Sequence, residues 1–450
     1  MGRHSRIRAL GLWMNGHFVG TWGIQPRLGE YLQYDDDWVA SEQGRPLSLS
    51  LPFTPGNGPH KVPAVRAYFE NLLPDSYAIR ERVARRFRTD SADAFALLAE
   101  IGRDCVGALQ ILPDGMAPTD VRSIQATPMT DAEIARLLKG VATQSQVEDS
   151  DFDDGGFRIS IAGAQEKTAL LRHNGQWCRP HASTPTSHIL KLPLGLVGNM
   201  QFDLSESVEN EWLCSEILAA YGLPVARTEP LQFEGLKVLA VKRFDRMWSK
   251  NENEPPWLIR LPQEDMCQAT GTPPHLKYEA DGGPGVARIM GLLETSSQAG
   301  QDRRVFFQSQ VLFWMLRATD GHAKNFSLFV RSGGTYALTP LYDVLSAYPI
   351  LGEGPGKLSP FRAKMAMAVR SKNPHWIMRD IHRSHWLTVG EQFGVMMSDG
   401  RGVEGVIDDL VLRTSEVVQI VRAKLPPGFP EALAESIFGG LQSAADRLSR

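Results

Sequence analysis

The segment Asp320-Gly-His-Ala-Lys-Asn325 holds the residue types and spacing best suited to chemistry. An aspartate followed five positions on by an asparagine is the D-x-x-x-x-N spacing of a phosphotransferase catalytic loop. There the carboxylate accepts a hydroxyl proton and the asparagine oxygen binds magnesium. Asn325 leads into a stretch that alternates over 326–330, turns at Ser332-Gly333-Gly334 and alternates again over 335–341, which predicts a β-hairpin. The two ends of a hairpin are neighbours, so Asn325 and Asp343 are expected to face each other within reach of one metal ion.

Lys191 falls inside a strand predicted over 188–192, on the same face as Ile189. A lysine on an apolar strand calls for an anionic partner. Glu211 lies on a helix predicted over 205–221, where it can pair with Lys191 while the ammonium holds ATP phosphates; Glu209 is the alternative partner. Lysine, helix glutamate, Asp-x-x-x-x-Asn and a further aspartate, in that order, follow the logic of protein kinases.

These residues need elements to position them. Residues 10–22 alternate around Asn15 and Gly16, which predicts a hairpin, and 47–51 reads as a further strand. A helical stretch over 65–88, interrupted at Pro74, carries Arg82, Arg85, Arg86 and Arg88 on its solvated side. Pro113, Gly115, Pro118 and Pro128 mark 113–130 as a linker. Thr130 and Glu133 form a capping box for a helix over 131–141. In the acidic run 148–154 the glycine comes one place too late for a calcium loop and position twelve is Ser160, so it reads as a solvated loop. Strands follow over 158–161, 168–172, 188–192 and 236–244, and Gly222 and Pro224 end the 205–221 helix. Beyond 285 helices dominate, among them 305–316 just before Asp320, with the 326–341 hairpin as the exception.

The 450 residues call for two or three domains, and 42% apolar with 22% charged residues is a globular composition. With 48 Lys and Arg against 51 Asp and Glu, the net charge of -3 offers no whole-molecule attraction to nucleic acid. Cys105, Cys178, Cys214 and Cys267 form no C-x-x-C pair and read as small buried hydrophobes in a reducing compartment. No apolar run is long enough to span a bilayer and the first residues lack a signal peptide's pattern, so a cytoplasmic location with no membrane partner is expected. The phosphate loop G-x-x-x-x-G-K-[ST], H-E-x-x-H and G-x-S-x-G are all missing, and Gly352, Gly354 and Gly356 read as a loop.

At these residues the sequence resembles the HipA family, bacterial serine/threonine kinases that act as toxins of toxin–antitoxin pairs. The resemblance rests on Ile159-Ser-Ile-Ala-Gly-Ala-Gln-Glu-Lys-Thr168, Ile189-Leu-Lys-Leu-Pro193, Val241-Lys-Arg-Phe-Asp-Arg246, Arg260-Leu-Pro-Gln-Glu-Asp-Met-Cys-Gln268, Ala318-Thr-Asp-Gly-His-Ala-Lys-Asn-Phe326 and Leu341-Tyr-Asp343. Phe69-Glu-Asn-Leu-Leu-Pro-Asp75 and Ile101-Gly-Arg-Asp-Cys-Val-Gly107 are similar to the family's amino-terminal subdomain. The fold implied is α+β: an N-terminal α+β subdomain over 1–120, then a two-lobed protein-kinase-like fold with a small lobe over 121–245 and a mostly helical C-terminal lobe over 246–450.

The resemblance implies ATP and Mg2+ as cofactors, with Asp320 as catalytic base, Asn325 and Asp343 as metal ligands and Lys191 on the phosphates. It implies a hinge of Lys242, Arg243 and Phe244 against adenine, with His322 and Lys324 near the phosphates. Ala162, Gly163, Ala164, Gln165, Glu166 and Lys167 would cover ATP, and Ser160 would be the autophosphorylated serine whose modification ejects that loop. Partners implied are a translation component as substrate, an aminoacyl-tRNA synthetase, and a HipB-like helix-turn-helix antitoxin through which the protein reaches operator DNA. Ala318 and Thr319 stand where protein kinases carry histidine and arginine, and Tyr342-Asp343-Val344 replaces Asp-Phe-Gly, so an ordinary activation loop is not expected. The competing reading is a non-catalytic corepressor bridging antitoxin dimers on DNA; it expects loss of Lys191, Asp320, Asn325 or Asp343, and all four are present.

Overall fold

The computed structural model describes residues 8–25, 29–142, 165–198, 200–249 and 255–450. Asn15 and Gly16 take left-handed φ values of 49° and 90°, and strands Arg8–Met14 and His17–Gln25 pair antiparallel across them. Strands Gly29–Tyr34 and Leu109–Pro113 complete a four-stranded sheet. Helices Pro63–Glu70, Tyr77–Phe87 and Ala94–Ile101 share its core, where the Trp22 and Phe69 rings stack at 3.7 Å. The predicted break at Pro74 falls between the first two helices, and Ser76 caps the second.

The 47–51 stretch corrects one expectation: Leu47 and Leu51 are buried, but no strand forms. Pro46 and Pro52 flank it. Two of its amides are satisfied by side chains instead, Leu47 N–H donating to Tyr34 Oη (2.8 Å) and Leu49 N–H to Glu264 Oε1 (2.9 Å). The hydroxyls of Ser48 and Ser50 donate to the Gln268 carbonyl, which ties the segment to the C-terminal part of the chain.

A six-stranded antiparallel sheet follows, in the order Thr228–Phe233, Leu236–Lys242, His188–Lys191, Lys167–His173, Gln176–Pro180, Ala126–Pro128. Its last strand comes from the expected linker, and an edge position tolerates Pro128, which has no amide to donate. The capping box forms as expected: Thr130 N–H donates to Glu133 Oε2 (2.7 Å) and Glu133 N–H to Thr130 Oγ1 (3.3 Å) at the start of helix Asp131–Ala142. Ile134 and Leu138 of that helix bury against Leu170, Leu190 and Val238 on one face of the sheet. The acidic run 148–154 and the strand expected over 158–161 lie outside the described residues.

Helix Ser207–Ala220, closed by Gly222 at φ 86°, connects the sheet to the large core. Eleven of its 14 residues are buried, and Trp212, Leu213 and Ile217 share a core with Val406 and Leu410 of helix Val403–Arg422. It therefore has no broad solvated face. Helices Val286–Leu293, Ala299–Met315, Arg383–Gln392 and Glu431–Leu448 fill out the C-terminal part around Phe306, Trp314 and Trp386. The expected hairpin pairs Ser327–Val330 with Tyr336–Leu338, its turn using Gly333 and Gly334 at φ 70° and 76°, and Gln263–Asp265 adds a third strand. A second hairpin, Lys364–Arg370 with Pro374–Ile377, was not expected. Residues 365–369 are all buried, so no alternation signals a strand. The four cysteines are buried and unpaired, and among the described residues no helix is long and apolar enough to cross a membrane.

Candidate functional site

Strand His188–Lys191 places Lys191 toward the helix that carries Glu211. The ammonium meets Glu211 Oε1 at 2.7 Å and Asp343 Oδ1 at 2.5 Å, with Lys191 and Glu211 almost fully buried. Burial opposes the ammonium charge, but Asp343 and Glu211 outweigh it and hold Lys191 above its ordinary pKa. Burial likewise opposes the Asp343 carboxylate, and Lys191 and Lys167 hold it well below the usual carboxylate range. Glu209 pairs with Lys237 instead, which settles the choice left open by the sequence. Lys167 sits directly opposite Lys191 in the strand pairing, and burial together with that second ammonium lowers it to about 8.

The hairpin brings its two ends together. Asn325 Nδ2 lies 3.1 Å from Asp343 Oδ2, while Asn325 Oδ1 is buried with no hydrogen-bond partner among the described residues. Asp343 itself has φ 63°, a left-handed conformation uncommon outside glycine and typical of strained functional positions. Among the described residues no group of three or more His, Cys, Asp or Glu side chains could cage a metal. Magnesium needs none, since it keeps several waters and takes one or two protein oxygens plus phosphate. An orphaned amide oxygen beside an ionised carboxylate fits that demand.

Asp320 is exposed at the mouth of this cluster, its side chain 68% accessible. Tyr278 Oη donates to its Oδ1 at 2.5 Å, and the His322 ring packs edge-on against Tyr278 at 5.0 Å. Burial lowers the His322 pKa, which favours neutral imidazole. Lys324 is buried and meets Asp75 Oδ1 at 2.6 Å, so this ammonium is already engaged by the N-terminal unit.

Two hinge side chains are not brought here. Leu239 lies opposite Lys191 and Val241 opposite Ile189, so Lys242, next along the strand, projects from the other face. Arg243 is buried in an ion network, with Nη1 on Asp104 Oδ2 (3.2 Å) and Thr186 Oγ1 (2.9 Å) and Nη2 on Asp245 Oδ2 (2.7 Å). Their backbone amides are engaged as well, Lys242 N–H donating to the Arg227 carbonyl (2.8 Å) and Arg243 N–H to the Ser187 carbonyl (2.9 Å). Phe244 packs against the Tyr342 ring at 5.6 Å, beside Asp343. Glu166 is held by Arg82 at 2.5 Å, which corrects the reading of Arg82 as merely solvated, and Gln165 Nε2 donates to the Leu192 carbonyl. Ser160, Ala162, Gly163 and Ala164 lie outside the described residues.

Residues 159–418 match the HipA-like C-terminal domain, and residues 10–112 match the HipA N-terminal domain. The chain belongs to the HipA family. One family relative, the "Putative kinase Y4mE" of Sinorhizobium fredii, is 32% identical over 419 residues, 92% of this chain and 91% of the relative. The serine/threonine-protein kinase toxin HipA of Shewanella oneidensis is 26% identical over 328 residues, 70% of this chain and 69% of that one. A solved complex of Shewanella oneidensis HipA, HipB and operator DNA contains a chain of the same fold, with a TM-score of 0.76, 21% identity and coverage of 98% and 97%. HipA membership makes the chain a serine/threonine-protein kinase with a kinase-like fold.

Sequence reasoning on this HipA chain missed Asp75, Lys277 and Tyr278. Asp75 lies inside a stretch similar to the family's N-terminal subdomain, yet 249 positions separate it from Lys324, and Tyr278 is 42 positions from Asp320. No local periodicity marks such pairs.

Proposed function

We propose that the chain transfers the γ-phosphoryl group of ATP to a serine or threonine of a translation component, with an aminoacyl-tRNA synthetase as the substrate that the family resemblance implies, and so arrests growth. One juxtaposition carries the reading: the Lys191–Glu211 pair and the Asn325–Asp343 pair meet at Asp343, next to the Asp320 loop. Asn325 Oδ1 and Asp343 would hold magnesium, which when bound neutralises phosphate oxygens. Glu211 seats Lys191 for the phosphates, Ile189 and Val241 on the same sheet face suit the adenine ring, and Asp320 accepts the proton of the attacking hydroxyl.

Two regulatory steps belong to the same proposal. Phosphorylation of Ser160 would add about -1.5 to -2 charge to the segment that the family resemblance implies covers ATP, and so displace the stretch ahead of Lys167. A HipB-like helix-turn-helix antitoxin would hold the protein on operator DNA. The solved complex of a HipA relative with HipB and operator DNA supports this, as does a net charge of -3, which leaves DNA contact chiefly to a basic partner. The units 1–120, 121–245 and 246–450 would then act as docking region, nucleotide lobe and catalytic lobe.

Asp320→Ala tests the reading: transfer is abolished while nucleotide binding persists, since the base contributes little to the ground state. Normal transfer in that variant sinks the assignment. Unchanged intact mass of the wild type with Mg–ATP, with no transfer to any lysate protein, favours the corepressor. Comparing phosphoproteomes of cells expressing wild type and Asp320→Ala names the substrate serine.

A further inference from the structure

We infer that Asp75, contributed by the N-terminal unit, is a positioning residue for the catalytic loop, so that the N-terminal unit completes the active site rather than merely docking beside it. The inference rests on the roles proposed above for Asp320 and Asn325.

Asp75 follows Pro74 in the break between helices Pro63–Glu70 and Tyr77–Phe87, and its carboxylate is mostly buried. Oδ1 accepts from Lys324 Nζ at 2.6 Å and Oδ2 from Lys277 Nζ at 2.8 Å. Burial disfavours this carboxylate, but the two ammonium groups outweigh burial and hold it down to about 2, so it is charged throughout the working range. Each lysine leads to a reacting group. Lys324 precedes Asn325, and Lys277 precedes Tyr278, whose hydroxyl rests on Asp320. The two segments are also joined directly, Ala323 N–H donating to the Lys277 carbonyl at 3.3 Å. One carboxylate therefore fixes the spacing between the residue that orients Asp320 and the residue that carries the orphaned amide oxygen.

The surrounding backbone fits a built tether rather than a chance surface pair. Asn71, in the same short segment as Asp75, donates from Nδ2 to the Thr272 carbonyl at 2.9 Å, which anchors the Asp75 turn against the stretch leading to Lys277. Both lysines are largely buried, so removing the carboxylate leaves two ammonium groups close together with little water to screen them. Their repulsion moves the loop, and small displacements of positioning groups reduce turnover by up to about 100-fold. Nucleotide affinity does not suffer the same way, because the chain of ion pairs from Glu211 through Lys191 to Asp343 includes neither lysine held by Asp75, and two released cations add attraction for a triphosphate.

The test follows ADP release at saturating magnesium and ATP by full-length protein, with dephosphorylated casein present as the serine and threonine acceptor of the phosphoryl group and nucleotide-binding stoichiometry measured on the same samples. Wild-type release that Asp320→Ala abolishes validates the assay; release insensitive to Asp320→Ala sinks both the site assignment and this inference. With a sensitive assay, Asp75→Asn is expected to lower kcat by about 10- to 100-fold, with KM for ATP unchanged or lower and one nucleotide still bound per chain. A kcat within about twofold of wild type overturns the inference alone, as does a loss of binding stoichiometry that matches the loss of rate. Lys277→Gln, which leaves the Asp75–Lys324 pair intact and no charge unpaired, covers the case of an insoluble Asp75→Asn. Its kcat is expected to fall several-fold at constant KM, and an unchanged kcat overturns the tether.

Discussion

The hydroxyl of Tyr278 lies 2.5 Å from Oδ1 of Asp320, the carboxylate proposed above to accept a substrate proton. Asp320 is otherwise largely exposed, with His322 Nε2 3.9 Å from the same oxygen, so the tyrosine hydroxyl makes its closest side-chain contact. Burial, then the Asp320 charge, push the Tyr278 hydroxyl far above its ordinary pKa, so it stays a donor at any working pH. Tyr278→Phe is expected to lower kcat by about 2- to 10-fold, the worth of one hydrogen bond, with little change in Tm. Steady-state kinetics with a melting curve check this; faster transfer would mean that the hydroxyl obstructs the acceptor's seat instead of orienting the base.

Lys191→Met removes the cation shared by Glu211 and Asp343. Transfer is expected to fall at least about 100-fold, because preorganised charge at the phosphates supplies much of the catalysis. The two stranded carboxylates then take up protons in the folded state, so their pKa values rise on folding. Their penalty is absent at low pH and grows as pH climbs through those raised values. The stability gap between wild type and variant is therefore expected to be wider at pH 8 than at pH 5 in urea titrations; an equal gap at both would show that Lys191 does not hold these acids charged.

Glu264 sets a pH dependence of the fold. Burial pushes its carboxyl from 4.5 up to about 8, with Oε1 accepting the Leu49 amide and Oε2 unpartnered among the described residues. The folded state keeps a proton that the unfolded chain releases, so stability is greatest below pH 4.5 for this group and is lost as pH rises through about 8. Neighbouring Asp265, raised from 3.8 to about 6 mainly by burial, adds the same sign over a lower window. Glu264→Gln is expected to flatten the fall in Tm between pH 6 and pH 9 relative to wild type. Parallel Tm–pH curves would exclude Glu264 as the source.

Asp104 is the carboxylate around which the N-terminal unit meets Thr186, Arg243 and Arg246. It accepts from Arg246 Nη2 (2.8 Å), Arg243 Nη1 (3.2 Å) and Thr186 Oγ1 (2.7 Å), and lies 3.2 Å from Arg260 Nη2. Asp104→Ala leaves three buried guanidinium groups with Asp245 as the remaining acid of the network, and is expected to cost about 3–5 kcal/mol. Urea denaturation measures it, and a loss under about 1 kcal/mol would show that water reaches the network.

Local pattern made much of this site legible. Alternation and glycine chemistry specify the 326–341 hairpin, and a hairpin fixes the distance between its ends, so the Asn325–Asp343 contact follows from sequence. The Thr130–Glu133 box and the strand around Lys191 are equally local. Where the signal depends on one solvated face it fails: the 364–370 strand is buried on both faces, and 47–51 has buried leucines without a ladder.

Tertiary structure alone decided which glutamate meets Lys191. Two positions on a helix differ by about 200° around its axis, so Glu211 and Glu209 point to different partners, and the helix's rotation against the sheet is set by its burial in the large core. The same holds for Asp75 on Lys324, Tyr278 on Asp320 and Arg243 on Asp104. The sequence by itself determined that Asn325 and Asp343 meet, because the hairpin between them is closed by hydrogen bonds between near neighbours. Their supporting contacts come from distant segments whose relative placement depends on how whole cores pack, and no short-range period encodes that.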